Sequence, residues 1–184
     1  MESALNQLID ALRRITQAIR LSSSVAQDTL GITGAQLFVL QQIAEAPRAS
    51  LREIAERTLT DQSSVSVVVS RLVVAGYVSR KTAAADARRT ELSLTASGRA
   101  LLRRAPGLAQ TRLMAALRAV PVAQLRVAAR VLHEASRAVA PASERTQMFF
   151  EPAAGQLARD SAVGRRRGSP TGGRARSRGK GRSS

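Results

Sequence analysis

Residues 50–76 read SLREIAERTLTDQSSVSVVVSRLVVAG, and this stretch decides the fold. It begins with Ser50 followed by Glu53 three residues later, a spacing that predicts the N-terminus of a short helix. A polar turn over residues 58–62 follows. A longer helix is predicted over residues 63–75, because its apolar side chains recur at the spacing of one buried helical stripe. The members of that stripe are Val65, Val68, Val69 and Leu72.

Two further helices are predicted before this stretch. Residues 4–27 carry an apolar seam with 3-4 spacing, which predicts an amphipathic helix that requires a partner helix. The seam consists of Leu5, Leu8, Leu12, Ile15 and Ile19. Gly31 ends this helix, and Thr33 with Gln36 predicts a capping box at the start of the next one, which Pro47 ends.

The chain after Gly76 predicts a small hairpin and more helix. Residues 77–81 and 90–94 are typical of two short strands joined by a polar loop, TAAADARR. A helix capped by Thr95 then continues as far as Leu117, with a kink or distortion at Pro106 and Gly107. Pro121 suits the first position of a final helix, whose apolar seam comprises Val122, Leu125, Ala129, Leu132 and Val139.

These elements predict a mainly α fold with a small β wing. A winged helix-turn-helix is expected over about residues 32–95, and a helical dimerisation domain over about 4–27 and 96–140. Together they form one domain over residues 1–140. Residues 141–184 are predicted to be a basic and largely disordered tail, because residues 151–184 hold only Leu157 and Val163 as sizeable aliphatic side chains.

The net charge of +16 is spread over both parts of the chain. Residues 141–184 carry 10 Lys/Arg against 3 Asp/Glu, and residues 1–140 carry 19 against 10. A basic chain of this kind favours a phosphate backbone or an anionic membrane as its partner, and the alternative is a solvated cationic surface. The role of the basic tail stays open between added affinity for DNA and a tolerated extension.

Composition also argues against several classes of function. With no cysteine and a single histidine, His133, neither a disulfide, a thiolate zinc site nor a multi-histidine metal site is available. No set of paired carboxylates, nucleophile with base, or phosphate-binding loop is present, so we expect neither an enzyme nor a cofactor. No apolar run approaches membrane-spanning length, and the N-terminus lacks a secretory signal, so a cytoplasmic protein without membrane contact is expected.

The predicted fourth helix carries the candidate site. Its polar face suits the major groove, which is just wide enough to admit a helix. Gln62 can read adenine, Val67 can contact a thymine methyl, and Arg71 suits a phosphate. For Ser63 and Ser64, capping of the helix and contact with DNA remain equally open. The predicted DNA-binding residues of this segment are Gln62, Ser63, Ser64, Ser66, Val67, Ser70 and Arg71.

The predicted wing carries the second part of the site. Arg88 and Arg89 at its tip suit a narrow, electronegative minor groove, although a solvated surface loop would have the same composition. Asp86 can hold one of these arginines by a charge-assisted hydrogen bond.

The stretch from Ile32 to Arg103 resembles the MarR family of bacterial transcriptional regulators. The matching segments include ITGAQLFVLQQIAEAP, LREIAERT, DQSSVSVVVSRLVVAGYVSR, ADARR and LSLTASGRALL. The most specific are the D-x-R-R segment at residues 86–89 and the L-T-x-x-G segment at residues 94–98. The resemblance covers about three quarters of the chain and omits residues 141–184.

The resemblance implies a homodimer on double-stranded DNA with a pseudo-palindromic operator. It places the fourth helix in the major groove and Arg88 and Arg89 in the flanking minor groove. Many members are repressors released by small anionic or phenolic ligands, which bind between the dimerisation helices and the DNA-binding lobe. This sequence departs from the family at Val67, where a basic residue is common, and at Thr58-Leu59, where Leu-Gly is common. The absence of cysteine rules out the mechanism of the peroxide-sensing branch.

The sequence therefore predicts a sequence-specific DNA-binding regulator, and the preferred interpretation is a ligand-responsive repressor. An architectural protein that binds DNA broadly is the alternative. No residue is assigned to a ligand: Phe38 and Tyr77 are expected in the core or hairpin packing, and His133 on a surface or interface.

Overall fold

The computed structural model describes residues 1–83 and 86–139, and the side chains of residues 83 and 86–89 lie outside that description. The described residues form seven helices and one antiparallel hairpin. In chain order these are α1 (Glu2–Leu30), α2 (Gly34–Glu45), α3 (Leu51–Thr58), α4 (Gln62–Val74), β1 (Val78–Ala83), β2 (Asp86–Leu94), α5 (Ala96–Arg103), α6 (Ala109–Arg118) and α7 (Val122–Val139). This mainly helical architecture with a two-stranded wing confirms the predicted fold class. The predicted disordered tail lies outside the described residues.

Local signals in the sequence position the helix ends. Gly31 ends α1 in the left-handed conformation, with φ 70°. At the start of α2, the Thr33 N–H donates to the Gln36 Oε1 at 2.9 Å, and the Gln36 N–H donates to the Thr33 Oγ1 at 3.1 Å. Ser50 and Glu53 form a second capping box at α3. Both predicted capping boxes are therefore confirmed.

Several predicted element bounds were wrong. The first helix is longer than 4–27, since α1 extends from Glu2 to Leu30. The single distorted helix after Thr95 is two helices, α5 and α6, separated at residues 104–108. Pro106 has no N–H to donate and its ring obstructs the preceding turn, which favours a complete break over a kink. The strands are also longer than predicted, so Asp86, Arg88 and Arg89 belong to the backbone of β2 and not to a loop.

The core lies where α2, α3, α4 and β2 meet. Its largest fully buried side chains include Phe38, Leu40, Ile54 and Leu92, none of them more than 1% exposed. The expected burial of Phe38 is confirmed. Residues 48–49 are hydrogen-bonded to β2: the Arg48 N–H donates to the Leu92 carbonyl at 3.1 Å, and the Leu92 N–H donates to the Ala49 carbonyl at 2.9 Å. This pairing attaches the wing to the loop between α2 and α3.

A compact junction joins α4, the wing and α5. The Thr95 hydroxyl donates to the Gly76 carbonyl at 2.7 Å and accepts from the Gly98 N–H at 3.0 Å, while the Thr95 N–H donates to the Tyr77 carbonyl at 3.0 Å. Gly98 packs so closely that a Cβ there would collide with the Tyr77 carbonyl oxygen. The L-T-x-x-G segment thus supplies a helix cap and a close approach of two backbones.

Replacing Gly98 by alanine is expected to lower the free energy of unfolding by about 1–3 kcal/mol, because the added methyl group must displace backbone atoms. Chemical denaturation of the two proteins checks this. Gly107→Ala is the matched control, since its nearest neighbour, the Arg112 guanidinium, lies at 3.8 Å from the added Cβ. Equal stability of the two variants would contradict the close-packing explanation.

Candidate nucleic-acid interface

Helix α4 has one fully buried face and one exposed face. Val65, Val68, Val69 and Leu72 are all 0% exposed, so the predicted buried stripe is confirmed. The opposite face presents short hydroxyl and apolar side chains. Gln62, Ser63, Val67 and Ser70 are exposed, and Ser64, Ser66 and Arg71 are half-buried. One face therefore brings together all seven α4 residues of the predicted site, and only one of them is cationic.

The N-terminus of α4 differs from the predicted one in a way that affects chemistry. The helix begins at Gln62, and its cap is Asp61, whose Oδ1 accepts from the Ser64 N–H at 2.9 Å. The Ser64 hydroxyl donates to the Asp61 Oδ2 at 2.7 Å, and the Ser63 hydroxyl donates to its Oδ1. Ser63 and Ser64 are thus not the capping residues, because an aspartate one turn earlier already fills that role.

Asp61 also changes the electrostatics of this helix end. Hydrogen bonds from the Ser63 and Ser64 hydroxyls, followed by the Ser64 backbone N–H, hold the pKa of the Asp61 carboxyl well below its usual range. The carboxylate stays ionised and occupies the position where a helix N-terminus would otherwise favour a phosphate. With their protons donated to Asp61, the two serine oxygens remain available as hydrogen-bond acceptors. The geometry therefore favours contact of Ser63 with a base donor over contact with a phosphate.

The lowered pKa of Asp61 predicts a pH dependence of stability. A carboxyl whose folded pKa is depressed stabilises the fold above its unfolded pKa of about 3.9, and this stabilisation is lost as pH falls through the folded pKa. Asp61→Asn retains a capping oxygen but cannot ionise. The difference in free energy of unfolding between wild type and this variant should therefore decrease as pH falls from 6 to about 2.5. A difference independent of pH, measured by urea denaturation, would contradict this account.

Arg80 connects the wing to α4, and the sequence did not indicate it. The Arg80 Nη2 donates to the Ser70 hydroxyl at 3.0 Å, and that hydroxyl donates to the Ser66 carbonyl at 2.8 Å. Arg80 is exposed on β1 opposite Leu92 of β2. It adds a cation beside the outward face of α4. The sequence contains many arginines, and nothing in it separates Arg80 from the others. Only the contact between the wing and α4 in the folded chain identifies Arg80 as part of this surface.

The wing is an antiparallel hairpin whose register runs from Val78 opposite Leu94 to Thr82 opposite Thr90. An irregularity between Thr82 and Ala83 brings Ala83 opposite Asp86. Arg88 and Arg89 belong to strand β2. The predicted hydrogen bond from Asp86 to one of these arginines concerns side chains that lie outside the described part of the structure.

A cleft of about 410 Å³ lies between α2 and the segment that links α5 to α6. Its polar walls include Gln41, Glu45, Thr111 and Arg112. The Thr111 hydroxyl donates to the Gln41 Oε1 at 2.8 Å and ties α6 to α2 across the cleft. The remaining lining is largely apolar and includes Leu102 and Leu108.

The two ends of the described chain expose apolar side chains. The apolar seam of α1 is exposed at its start and buried further along. Leu5 is 57% and Leu8 40% exposed, whereas Ile19 is only 4% exposed. Helix α7 buries none of its residues in the single chain, and Val122, Val127 and Val131 are 47–63% exposed. His133 is exposed on this helix.

Comparisons with known proteins agree with this architecture. The model of the MarR family matches residues 30–89. An HTH-type transcriptional repressor of Mycobacterium bovis is 31% identical over 111 residues, which cover 59% of this chain and 80% of the relative. A repressor of Mycobacterium tuberculosis matches with the same values. The chain belongs to the MarR family.

This MarR-family chain also resembles solved structures. BpsR of Bordetella bronchiseptica, whose DNA binding is regulated by 6-hydroxynicotinic acid, is 26% identical, with 71% of this chain and 98% of that one covered and a TM-score of 0.46. MarR of Escherichia coli is 22% identical, with 71% and 95% covered and a TM-score of 0.48.

The relatives named above are transcriptional regulators and not enzymes, in line with the sequence-based expectation. Within residues 1–83 and 86–139, no three side chains that could hold a metal ion lie together. No helix in that part of the chain is long and apolar enough to cross a membrane.

Proposed function

We propose that this MarR-family transcriptional regulator binds a pseudo-palindromic operator as a homodimer and acts as a repressor that a small ligand releases. The observation that carries the proposal is the outward face of α4, a row of hydroxyl and apolar groups backed by a fully buried apolar stripe. Such a face can approach base edges closely in the major groove. The proposed base-reading and positioning residues are Gln62, Ser63, Ser64, Ser66, Val67, Ser70 and Arg71.

Because the outward face of α4 carries little charge, electrostatic affinity must come from other cations. Arg88 and Arg89 of the wing are proposed to enter the flanking minor groove, where the negative potential is strongest. Arg80 lies at the base of the wing, beside Ser70, and is placed to contact the phosphate backbone next to α4.

The homodimer is supported by the exposed apolar ends of the chain. The seam of α1 is solvent-exposed at Leu5 and Leu8, and so are nearly all residues of α7 in the single chain. Uncovered apolar side chains of this number are unfavourable in water, and a second copy would bury them. Two copies would also present two α4 helices to two half-sites of one operator.

The cleft between α2 and the α5–α6 segment is the proposed position of a small anionic or phenolic effector. Arg112 supplies a cation on its wall, and Leu102 and Leu108 supply apolar surface. A ligand there would contact both the DNA-binding lobe and α6. Its binding would therefore shift the position of one relative to the other.

Selection of binding duplexes from a random library, followed by footprinting, tests sequence-specific binding. The proposed homodimer should protect about 15–25 bp that contains two half-sites about one helical turn apart, and competitor DNA should not displace it. Uniform coating without a consensus would instead support the architectural alternative, for which the high net charge is the favouring observation.

Removal of a wing arginine should change the salt dependence of binding. Arg88→Ala or Arg89→Ala is expected to reduce the slope of log K against log salt by about 0.9 if the lost cation displaces one counterion. Arg14→Ala removes the same charge from α1 and should leave the slope unchanged. Titrations at several salt concentrations check this, and an identical slope in all variants would contradict the wing contact.

Leu8→Glu should weaken the dimer, because it introduces a charge into the exposed seam of α1 that the proposed interface covers. Analytical ultracentrifugation should show a shift towards monomer at micromolar concentration. Gln7→Glu is the control, since it adds the same charge to the same helix away from the seam. A monomeric wild-type protein would overturn the homodimer itself.

A further inference from the structure

Leu59 is an exposed leucine in a backbone conformation that leucine rarely adopts. It ends α3 with φ 53° and ψ 40°, in the left-handed region, and its side chain is 79% exposed. For a residue with a Cβ, this conformation is unfavourable, because the Cβ comes too close to the following carbonyl oxygen. Glycine would avoid both the strain and the exposure of an apolar side chain.

The fold around Leu59 does not use the leucine side chain. Its N–H donates to the carbonyls of Ala55 and Glu56, the Thr60 N–H also donates to the Ala55 carbonyl, and the Thr58 hydroxyl donates to the Ile54 carbonyl at 2.9 Å. The turn is therefore held by backbone groups and threonine hydroxyls. Strain that the local structure does not require points to a function of the side chain.

The position of Leu59 indicates which surface it serves. Among the described residues, only three exposed large apolar side chains lie outside α1, α6, α7 and Met1, and they are Leu59, Val67 and Val74. All three belong to α4 or to the turn before it. Leu59 lies two residues before Asp61, and so within about 7 Å of the α4 cap. This is the end of the proposed recognition helix that, in helix-turn-helix proteins, supplies the side chains that contact base edges.

We propose that Leu59 is a specificity-determining residue that contacts the C5-methyl group of a thymine in the major groove, next to the base that faces Ser63. This inference rests on the proposed DNA-binding function. The thymine methyl is the apolar group that the major groove presents, and it distinguishes thymine from the other three bases. The Asp61 carboxylate, which accepts from two serine hydroxyls, repels phosphate from this end of α4. A base edge is then the group that can offer Leu59 an apolar contact.

Substitution of uracil for thymine removes this methyl group and nothing else. With a duplex of about 30 bp selected by the wild-type protein, each thymine is replaced in turn by uracil and the Kd is measured. Loss of one buried methyl contact should weaken wild-type binding about fourfold at one position of each half-site. Leu59→Ala should bind the thymine and uracil duplexes equally at that position and retain its dependence at every other thymine.

Val74→Ala is the matched control, because it also removes exposed apolar surface but at the far end of α4. It should keep the thymine preference at the Leu59-dependent position. Leu59→Gly separates the contact from folding: relief of backbone strain should raise the Tm by about 3 °C, while the thymine preference is lost as in Leu59→Ala. A variant that is more stable cannot have lost affinity through unfolding.

The proposal is overturned if no thymine position depends on Leu59, or if Leu59→Ala weakens binding equally on thymine and uracil duplexes. The second result would assign the leucine to the deoxyribose backbone or to positioning of the turn. A Tm that falls in Leu59→Gly would show that the side chain supports the fold. Failure to select any duplex would refute sequence-specific binding itself, a result distinct from a selected duplex without methyl dependence.

Discussion

The packing of α4 against α2 determines how this protein can meet DNA. Four side chains of α4 are completely buried, and they fix the rotation of the helix about its own axis. Since successive residues of a helix are about 100° apart, fixing one face also fixes the opposite one. Ser63, Val67 and Ser70 therefore face outward because of how the core packs. A change in the core would rotate this outward face of α4.

The second constraint is the junction at which α4 ends, the wing starts and α5 begins. Four residues, Gly76, Tyr77, Thr95 and Gly98, form it through four backbone groups and the Thr95 hydroxyl. Backbone hydrogen bonds in a closely packed site allow little movement between the elements they join. The angle of the wing to α4 is set here, and the Arg80–Ser70 hydrogen bond reinforces it at the surface. Helix and wing would thus approach DNA as one unit.

The distribution of charge and apolar surface separates two functions of the exposed residues. Apolar side chains on α1 and α7 lie at the ends of the described chain, where a second copy can cover them, whereas those near α4 lie among hydroxyl groups. The carboxylate of Asp61 at the N-terminus of α4 favours base donors and disfavours phosphate. In the proposed function, affinity and specificity therefore belong to different elements: the cations of the wing supply the first, and α4 supplies the second.

Sequence alone determined the order and type of the elements, the two capping boxes at Thr33 and Ser50, the buried stripe of α4 and the membership of the family. These features depend on interactions within a few residues or on strict helical periodicity, which a sequence displays directly. It did not predict the break between α5 and α6, the Arg80–Ser70 contact or the close approach at Gly98. The bonds of Arg80 and the packing of Gly98 join residues far apart in sequence. The sequence leaves Ser63 and Ser64 open between capping of α4 and contact with DNA, and the observed start of the helix assigns the cap to Asp61. Tertiary structure decided how Ser70 can meet DNA, since its hydroxyl donates to the Ser66 carbonyl within α4 and accepts from Arg80 of the wing, which leaves it only one free acceptor position for a partner.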